Sequence, residues 1–154
     1  VGDGAVALAK VPGVKEGPAV LRVTAREQRT GAQACLAALH AVEDFLLNHS
    51  EYMQAMYILW FESISSHNDV RSHLAAYHEI YRRDVAHWVR DGINSGEIDA
   101  VIDAESYAVQ FCSFIFGTIY QWLVAPGSID ISRQFEAYRR ATADAFGVSH
   151  EVQI

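Results

Sequence analysis

The sequence has little cysteine, and the cysteines that it has indicate neither disulfides nor a metal site. Only Cys35 and Cys112 occur in 154 residues, and neither belongs to a Cys-x-x-Cys pair. Both fall in apolar helical patterns, where a free thiol packs as a small hydrophobic group, and we favour this burial over a disulfide or a reactive thiol. The first residues lack the basic, apolar and small-residue segments of a signal peptide. We therefore expect a cytoplasmic protein.

Basic residues are also scarce. The chain has 12 lysines and arginines against 19 aspartates and glutamates, which gives a net charge of -7. The basic residues are interleaved with acidic ones, so this chain has no basic stripe with which to neutralise nucleic-acid phosphates. With 51% hydrophobic and 20% charged residues, the composition is that of one compact globular domain.

Signatures of common catalytic and metal sites are absent as well. The sequence has no Gly-x-Ser-x-Gly turn, no glycine-rich phosphate loop after a strand and no His-Glu-x-x-His. His40 precedes Glu43 at i,i+3, but His73 and His78 stand at i,i+5 and do not share a helix face with each other. We expect surface or capping histidines, a protein that is not an enzyme, no metal and no cofactor.

Helical periodicity predicts an all-α bundle of about five helices, because no segment shows the alternation and hairpin turns of strands. The predicted helices are residues 32–48, 51–63, 69–95, 104–125 and 131–146. Asp103 and Asp130 are suitable N-caps of the last two helices, and Ser50 is one for the second. Gly96 and Gly147 are suited to ending the third and fifth helices.

The segment FCSFIFGTIYQWLVAPGSID, residues 111–130, has no charged side chain before its last residue. Its length permits a membrane span. However, Gln110, Ser113 and Gln121 interrupt it or stand at its start, its flanks are acidic, and its aromatic residues are spread along it instead of gathered at its ends. We therefore expect no membrane association, and we expect part of this apolar surface to meet another subunit.

One face of this segment is small and flat, with Gln110, Ser113, Gly117 and Gln121 at i, i+3, i+7 and i+11. Glycine inside a helix costs about 1 kcal/mol relative to alanine, so Gly117 indicates the close approach of another helix. The last two helices form a predicted antiparallel hairpin that pairs with its copy in a homodimer. The candidate interface residues are Ser113, Gly117, Gln121, Trp122, Phe135 and Tyr138, of which Trp122 and Phe135 fit the protomer's own core equally well.

Methionine and aromatic side chains on three helices predict a pocket for an apolar or aromatic ligand with a few polar anchors. The candidate ligand-binding residues are Met53, Met56, Tyr57, Trp60, Tyr77, Tyr81, Trp88, Gln110, Phe111 and Phe114. Among these we favour Tyr57, Tyr81 and Gln110 as the polar anchors. The alternative for each of these residues is ordinary core packing.

Three stretches, EDFLLNHSEYMQAMYILWFE, WVRDGINSGEID and FIFGTIYQWLVAPGSID, resemble the C-terminal regulatory domain of TetR/AcrR-family transcriptional repressors. The resemblance covers about residues 32–147. It implies that the last two long helices form the homodimer and that the preceding helices enclose a pocket for a small, often hydrophobic effector. It also implies a repressor that leaves its operator DNA when the effector binds.

The family's DNA-binding helix-turn-helix lies N-terminal to this domain, and the residues before Ala32 show no such three-helix pattern. We expect residues 1–31 to be a tail or linker with a possible short helix at 19–30, and residues 148–154 to be a C-terminal tail. Operator DNA is then bound only through a domain that is absent from this chain. The alternatives are a sensor without a DNA-binding domain and a helical protein-interaction module without ligand or DNA.

Overall fold

In the part of the chain that the structure describes, the fold is a bundle of five α-helices, which confirms the predicted all-α class. A computed structural model describes residues 31–65 and 69–148. The helices are α1 (Gly31–Asn48), α2 (Ser50–Ser65), α3 (Asp69–Ser95), α4 (Ala104–Val124) and α5 (Ile131–Phe146). These described residues contain no strand. The short helix predicted at 19–30 lies outside them, as do nearly all residues of the two predicted tails.

Local hydrogen bonds explain where the later helices begin and end. The Asp103 carboxylate accepts a hydrogen bond from the Ser106 amide at 2.6 Å, and the Asp130 carboxylate accepts one from the Arg133 amide at 3.0 Å. Gly96 and Gly147 have φ of 79° and 71°, the left-handed conformation that follows a helix end and that glycine adopts without strain. These caps are the predicted ones.

The boundary between α1 and α2 differs from the prediction. Ser50 lies inside α2, and His49 is the one residue that separates the two helices. The His49 amide donates to the Phe45 carbonyl at 2.8 Å, and the Met53 amide donates to the His49 carbonyl at 3.1 Å. Two i→i−4 hydrogen bonds therefore span the joint, and the Met53 amide, which a Ser50 cap could have satisfied, already has a partner.

Helix α1 is the most deeply buried element of the bundle. It packs against α3, α5 and α2, and its side chains from Ala34 to Leu39 are buried. Many of these residues are small, which lets neighbouring helices approach α1 from several sides. Cys35 is a free thiol in this core, and burial raises its pKa far above the ordinary value. The packing role expected for this cysteine follows from that environment.

The start of α1 crosses the end of α3 at two glycines. A Cβ atom added to Gly92 would lie 3.2 Å from the Gly31 Cα and 2.5 Å from the Ile98 Cδ1. A Cβ atom added to Gly31 would overlap the Glu97 carboxylate. That carboxylate accepts a hydrogen bond from the Ala32 amide at 3.2 Å, one of the amides at the start of α1 that lack a partner within the helix. The two helices therefore meet backbone to backbone and are joined by an acidic cap.

A buried arginine attaches α5 to α1. Arg139 is 5% exposed, and its guanidinium donates to the Glu43 carboxylate at 2.6 Å and to the Glu136 carboxylate at 3.0 Å. A guanidinium removed from water needs such charge-assisted partners, since losing one would leave a buried charge uncompensated. The same arginine holds the pKa of the exposed Glu136 carboxyl below its usual value.

Helices α4 and α5 form an antiparallel pair joined by a short turn. The Tyr107 hydroxyl lies 2.9 Å from the Thr142 hydroxyl, and the rings of Phe114 and Tyr138 stack with centroids 3.8 Å apart and planes at 4°. Phe135 is fully buried and meets Phe114 edge to face at 5.4 Å. The predicted hairpin is therefore present, held by aromatic contacts within one protomer.

Alanine substitutions at two glycines test the importance of the helix crossing. Gly92→Ala should lower the free energy of unfolding by about 1–2 kcal/mol, because the added methyl group overpacks against buried Ile98 and the backbone of Gly31. Gly117→Ala should raise it by up to about 1 kcal/mol, since nothing lies within 4 Å of the added Cβ and alanine favours helix. Urea denaturation followed by circular dichroism measures both changes. A Gly92→Ala protein as stable as the Gly117→Ala protein would contradict the close crossing.

Candidate functional site

An open groove of about 510 Å³ lies between the second half of α2, the first half of α3 and the middle of α4. This volume is within the range of small-molecule sites in proteins. Its walls combine five aromatic side chains with aliphatic ones and few polar groups. The lining residues are Tyr57, Trp60, Phe61, Ser63, Ile64, Arg71, Leu74, Ala75, His78, Phe116, Gly117 and Tyr120.

The walls follow from the helical repeat of the sequence. On α2 they include Tyr57, Trp60, Phe61 and Ile64, which are spaced i, i+3, i+4 and i+7. On α3 they are Arg71, Leu74, Ala75 and His78, with the same spacing. Residues at these intervals lie along one face of a helix. Each of the two helices therefore presents one continuous stripe of side chains to the groove.

Trp60, His78 and Phe116 bring together α2, α3 and α4. The His78 ring meets the Trp60 ring edge-on at a centroid distance of 5.1 Å, and it lies 5.0 Å from the Phe116 ring at 33°. Trp60 and Phe116 are 5.3 Å apart and nearly perpendicular. Edge-to-face and tilted arrangements of this kind are favoured by the ring quadrupoles. The imidazole is therefore enclosed by aromatic rings, and we call these three residues the aromatic cluster.

Tyr57 ties α2 to α4 beside this cluster. Its hydroxyl donates to the Phe116 carbonyl at 2.7 Å, and its side chain is buried. Burial raises the pKa of this phenol well above the ordinary value, so the group stays neutral at physiological pH. Because the hydroxyl already has an acceptor, Tyr57 shapes the wall and is less suited to anchoring a ligand than the sequence indicates.

His78 has an unused hydrogen-bonding atom. Its Nε2 is buried and has no hydrogen-bond partner among residues 31–65 and 69–148. Burial lowers the pKa of the imidazole, and the nearby Arg82 guanidinium lowers it further, so the ring is neutral at physiological pH. The expectation of a surface or capping histidine therefore does not describe His78. An unpaired buried nitrogen costs free energy in the empty site, and a ligand that bonds to it recovers that cost.

The charge on the walls is positive. Arg71 is the one charged side chain among the lining residues of the described chain, and no carboxylate belongs to that set. Arg82 follows His78 by one helical turn and acts on its pKa. The groove therefore combines aromatic surface with basic side chains, although the chain as a whole has a net charge of -7.

Of the predicted ligand-binding residues, Tyr57 and Trp60 line the groove. The others lie elsewhere. Met53, Tyr81, Trp88 and Phe111 are buried in the core, Met56, Tyr77 and Phe114 are partly buried against it, and Gln110 is exposed. For the buried members of this set, core packing, which was the alternative in each case, describes the environment in the protomer.

The predicted interface residues divide in the same way. Ser113 and Gln121 are exposed, and the Gln121 amide donates to the Gly117 carbonyl at 3.3 Å. Gly117 lines the groove, with no atom within 4 Å of a Cβ added there. Trp122 and Tyr138 are partly buried, whereas Phe135 is fully buried in the protomer's own core and has no exposed surface to offer a partner.

Most of the groove residues are absent from the sequence-based set. The lining residues that the sequence did not predict include Phe61, Leu74, His78, Phe116 and Tyr120. The signal that identifies several of them is the repeated i, i+3, i+4, i+7 spacing on α2 and α3. Selection by side-chain type instead favours methionines and tyrosines that lie in the core.

The described residues contain neither a metal-ligand cluster nor a membrane-spanning helix. No group of three or more His, Cys, Asp or Glu side chains in 31–65 and 69–148 is arranged to hold a metal ion. None of the helices in those ranges is long and apolar enough to cross a membrane, including α4 with its uncharged run.

Comparison of the chain with protein-family models, curated protein sequences and solved structures gave no match. The groove has aromatic walls and one buried side-chain nitrogen, His78 Nε2, without a hydrogen-bond partner in the described residues.

Two phenylalanine substitutions compare the Tyr57 hydroxyl, which donates a hydrogen bond, with His78 Nε2, which has no partner among the described residues. Tyr57→Phe should lower the free energy of unfolding by about 1 kcal/mol, because the Phe116 carbonyl loses its side-chain donor. His78→Phe should leave stability unchanged or raise it, because a ring of similar shape replaces a buried nitrogen without a partner. Denaturant unfolding measures both. A loss of stability in His78→Phe larger than in Tyr57→Phe would show that His78 Nε2 has a structural role.

Proposed function

We propose that this chain is the effector-binding and dimerisation domain of a cytoplasmic transcriptional repressor of the TetR/AcrR type. A small hydrophobic or aromatic molecule occupies the groove, and two copies pair through α4 and α5. Operator DNA is bound by a helix-turn-helix domain outside this chain and is released when the effector binds. The activity proposed for this domain is binding, not catalysis.

The observation that carries the proposal is the groove between α2, α3 and α4. Aromatic walls of about 510 Å³ with a buried, unpaired His78 Nε2 are what a small-molecule site requires. A groove that served only as core packing would be filled, and its polar atoms would be satisfied. The order of the helices and the short turn between α4 and α5 add support through the resemblance described above.

Helix α3 supplies a physical route from the effector to the rest of the repressor. Its first half forms one wall of the groove, and its end holds the start of α1 through Gly92 and the Glu97 cap. A helix is stiff along its axis, and the close glycine crossing leaves little room for α1 to move independently. A shift of α3 on effector binding would therefore move the start of α1.

The outer face of α4 supports the pairing of two chains. This face carries, at helical spacing, the residues Val109, Ser113, Gly117, Tyr120 and Val124. Val109 is 51% exposed and Val124 is 64% exposed. A contiguous apolar and small-residue face on a monomer indicates a contact surface.

A second function is favoured by the rim of the groove. Phe61, Ile64 and Tyr120 are exposed there, and large apolar side chains at a rim suit the apolar face of a helix from a partner protein. This interaction module would bind no small molecule. Ligand titration therefore separates it from the effector-binding domain.

Alanine-to-leucine substitutions on α3 test effector binding. With Trp88 and Trp122 replaced by phenylalanine, Trp60 reports on the groove, and naphthalene-based probes should change its fluorescence saturably with micromolar Kd. Ala75→Leu places a side chain into the groove and should weaken binding at least about tenfold. Ala76→Leu, on an exposed neighbour outside the lining, should leave the Kd unchanged. Absence of a saturable change, or equal binding by both variants, would contradict a small-molecule site.

Charge substitutions on α4 test the dimer. The pair Val109→Glu and Val124→Glu should convert a dimer to a monomer in sedimentation equilibrium, because four carboxylates would meet in an apolar interface. Val101→Glu is the matched control, since Val101 is 81% exposed and lies between α3 and α4. A wild-type chain that is already monomeric, or a double variant that remains dimeric, would sink the proposed interface.

A further inference from the structure

We infer that the groove is built for an aromatic organic anion, with its ring against the aromatic cluster and its carboxylate accepting a hydrogen bond from His78 Nε2. This inference rests on the proposed effector-binding function and adds the chemical class of the ligand. The inference rests on three properties of the groove. They are the shape of the walls, the buried His78 Nε2 without a partner in the described residues, and the sign of the charge on the lining side chains.

The walls select a flat, aromatic molecule. Trp60 and Phe116 present rings at 70° to each other with centroids 5.3 Å apart, and Phe61 and Tyr120 extend the aromatic surface toward solvent with centroids 5.2 Å apart. A planar ring system gains contact with several of these surfaces at once, through stacking on one ring and edge contacts with another. A flexible aliphatic chain would lose conformational freedom without gaining those contacts.

His78 determines which polar group the ligand should carry. Two hydroxyls on the wall already have acceptors, since Tyr57 donates to the Phe116 carbonyl and Ser63 donates to the Trp60 carbonyl at 2.7 Å each. The buried Nε2 of His78 lacks any partner in the described residues. A ligand that places an oxygen beside this nitrogen receives a hydrogen bond inside the aromatic cluster, where competition from water is weak.

The charge decides between an anion and a cation. Aromatic walls alone also attract cations through their ring faces. Here, however, Arg71 lines the groove and Arg82 stands one helical turn beyond His78, whereas no carboxylate is among the lining residues of the described chain. An aromatic carboxylate therefore matches the charge of the side chains at the groove, whereas a cationic ligand does not.

The affinity for the anion should depend on the protonation of His78. The groups around His78 are Trp60 on α2, Phe116 on α4, and Tyr81 with Arg82 on its own helix, and of these only Arg82 is charged at physiological pH. Burial and Arg82 depress the pKa of the free imidazole, and a bound carboxylate raises it again. The complex therefore takes up a proton more readily than the free protein does. Affinity for the anion should rise as pH falls from about 8 to about 5.5, where a carboxyl group of ordinary pKa near 4 is still ionised.

Three ligands with one ring system test the charge class. 2-Naphthoate, 2-naphthol and (2-naphthylmethyl)trimethylammonium share the naphthalene ring and differ in the charge of the attached group. Calorimetric titration of the whole chain should show 2-naphthoate binding at least about tenfold more tightly than the other two. Tighter binding of the neutral or cationic ligand would overturn the inference and leave effector binding intact. Binding of none of the three would overturn the proposed function as well.

Variants of His78 test the hydrogen bond. His78→Phe keeps an aromatic ring but removes the donor, so it should weaken 2-naphthoate roughly 10- to 100-fold and 2-naphthol by less than about tenfold. His78→Gln should recover part of the affinity through its amide N–H. His87→Phe, on an exposed histidine of the same helix that pairs with Asp91 at 3.3 Å, should change neither.

The pH profile gives a readout that a purely structural role of His78 would not move. Wild type should bind 2-naphthoate more tightly at low pH, and His78→Phe should lose this slope while remaining folded by circular dichroism. A His78→Phe protein that keeps both wild-type affinity and the wild-type slope would remove His78 from the site and overturn the inference.

Discussion

The close crossing of α1 and α3 is the constraint on which the rest of the structure depends. At Gly31 and Gly92 the two backbones approach so closely that an added Cβ atom would lie about 3.2 Å from the facing Cα, and the Glu97 carboxylate caps the start of α1. This contact sets the position of the 27-residue α3, whose second half is buried against α1 and α4. The first half of α3 is then left with few buried side chains, and it forms a wall of the groove together with α2 and α4.

The groove forms because α2 and α3 each have one part in the core and another part that lines the groove. In α3, Val85, Ala86, Trp88 and Val89 are buried, whereas the stripe from Arg71 to His78 faces the groove. In α2, Met53 joins the core, and Phe61 and Ile64 remain exposed. Each helix thus packs into the core with one end and lines the groove with the other. In the proposed sensing function, this division would let a ligand act on α3 at one end while the helix holds α1 at the other.

Much of the fold was predictable because it depends on local interactions. The caps at Asp103, Asp130 and Gly147 are hydrogen bonds and backbone conformations within a few residues of the sequence. The site was less predictable, because a helical stripe looks the same whether it faces the core or a groove. Trp88 and Phe111 belong to such stripes and are buried, whereas Trp60 belongs to one and lines the groove. His78 shows the limit most clearly, since nothing near it in sequence indicates that rings from α2 and α4 enclose it.

The sequence by itself determined the helical class, the order of the helices and most of their ends, because 3.6-residue periodicity and capping residues act over short distances. It also determined which side chains share a face of each helix. Only the tertiary structure decided which face meets which neighbour, and so it decided that Phe135 is core, that Gly117 borders open space and that His78 has an unpaired nitrogen among aromatic rings. The physical reason is that burial depends on the packing of distant segments, and no local pattern specifies which of several apolar stripes is left uncovered.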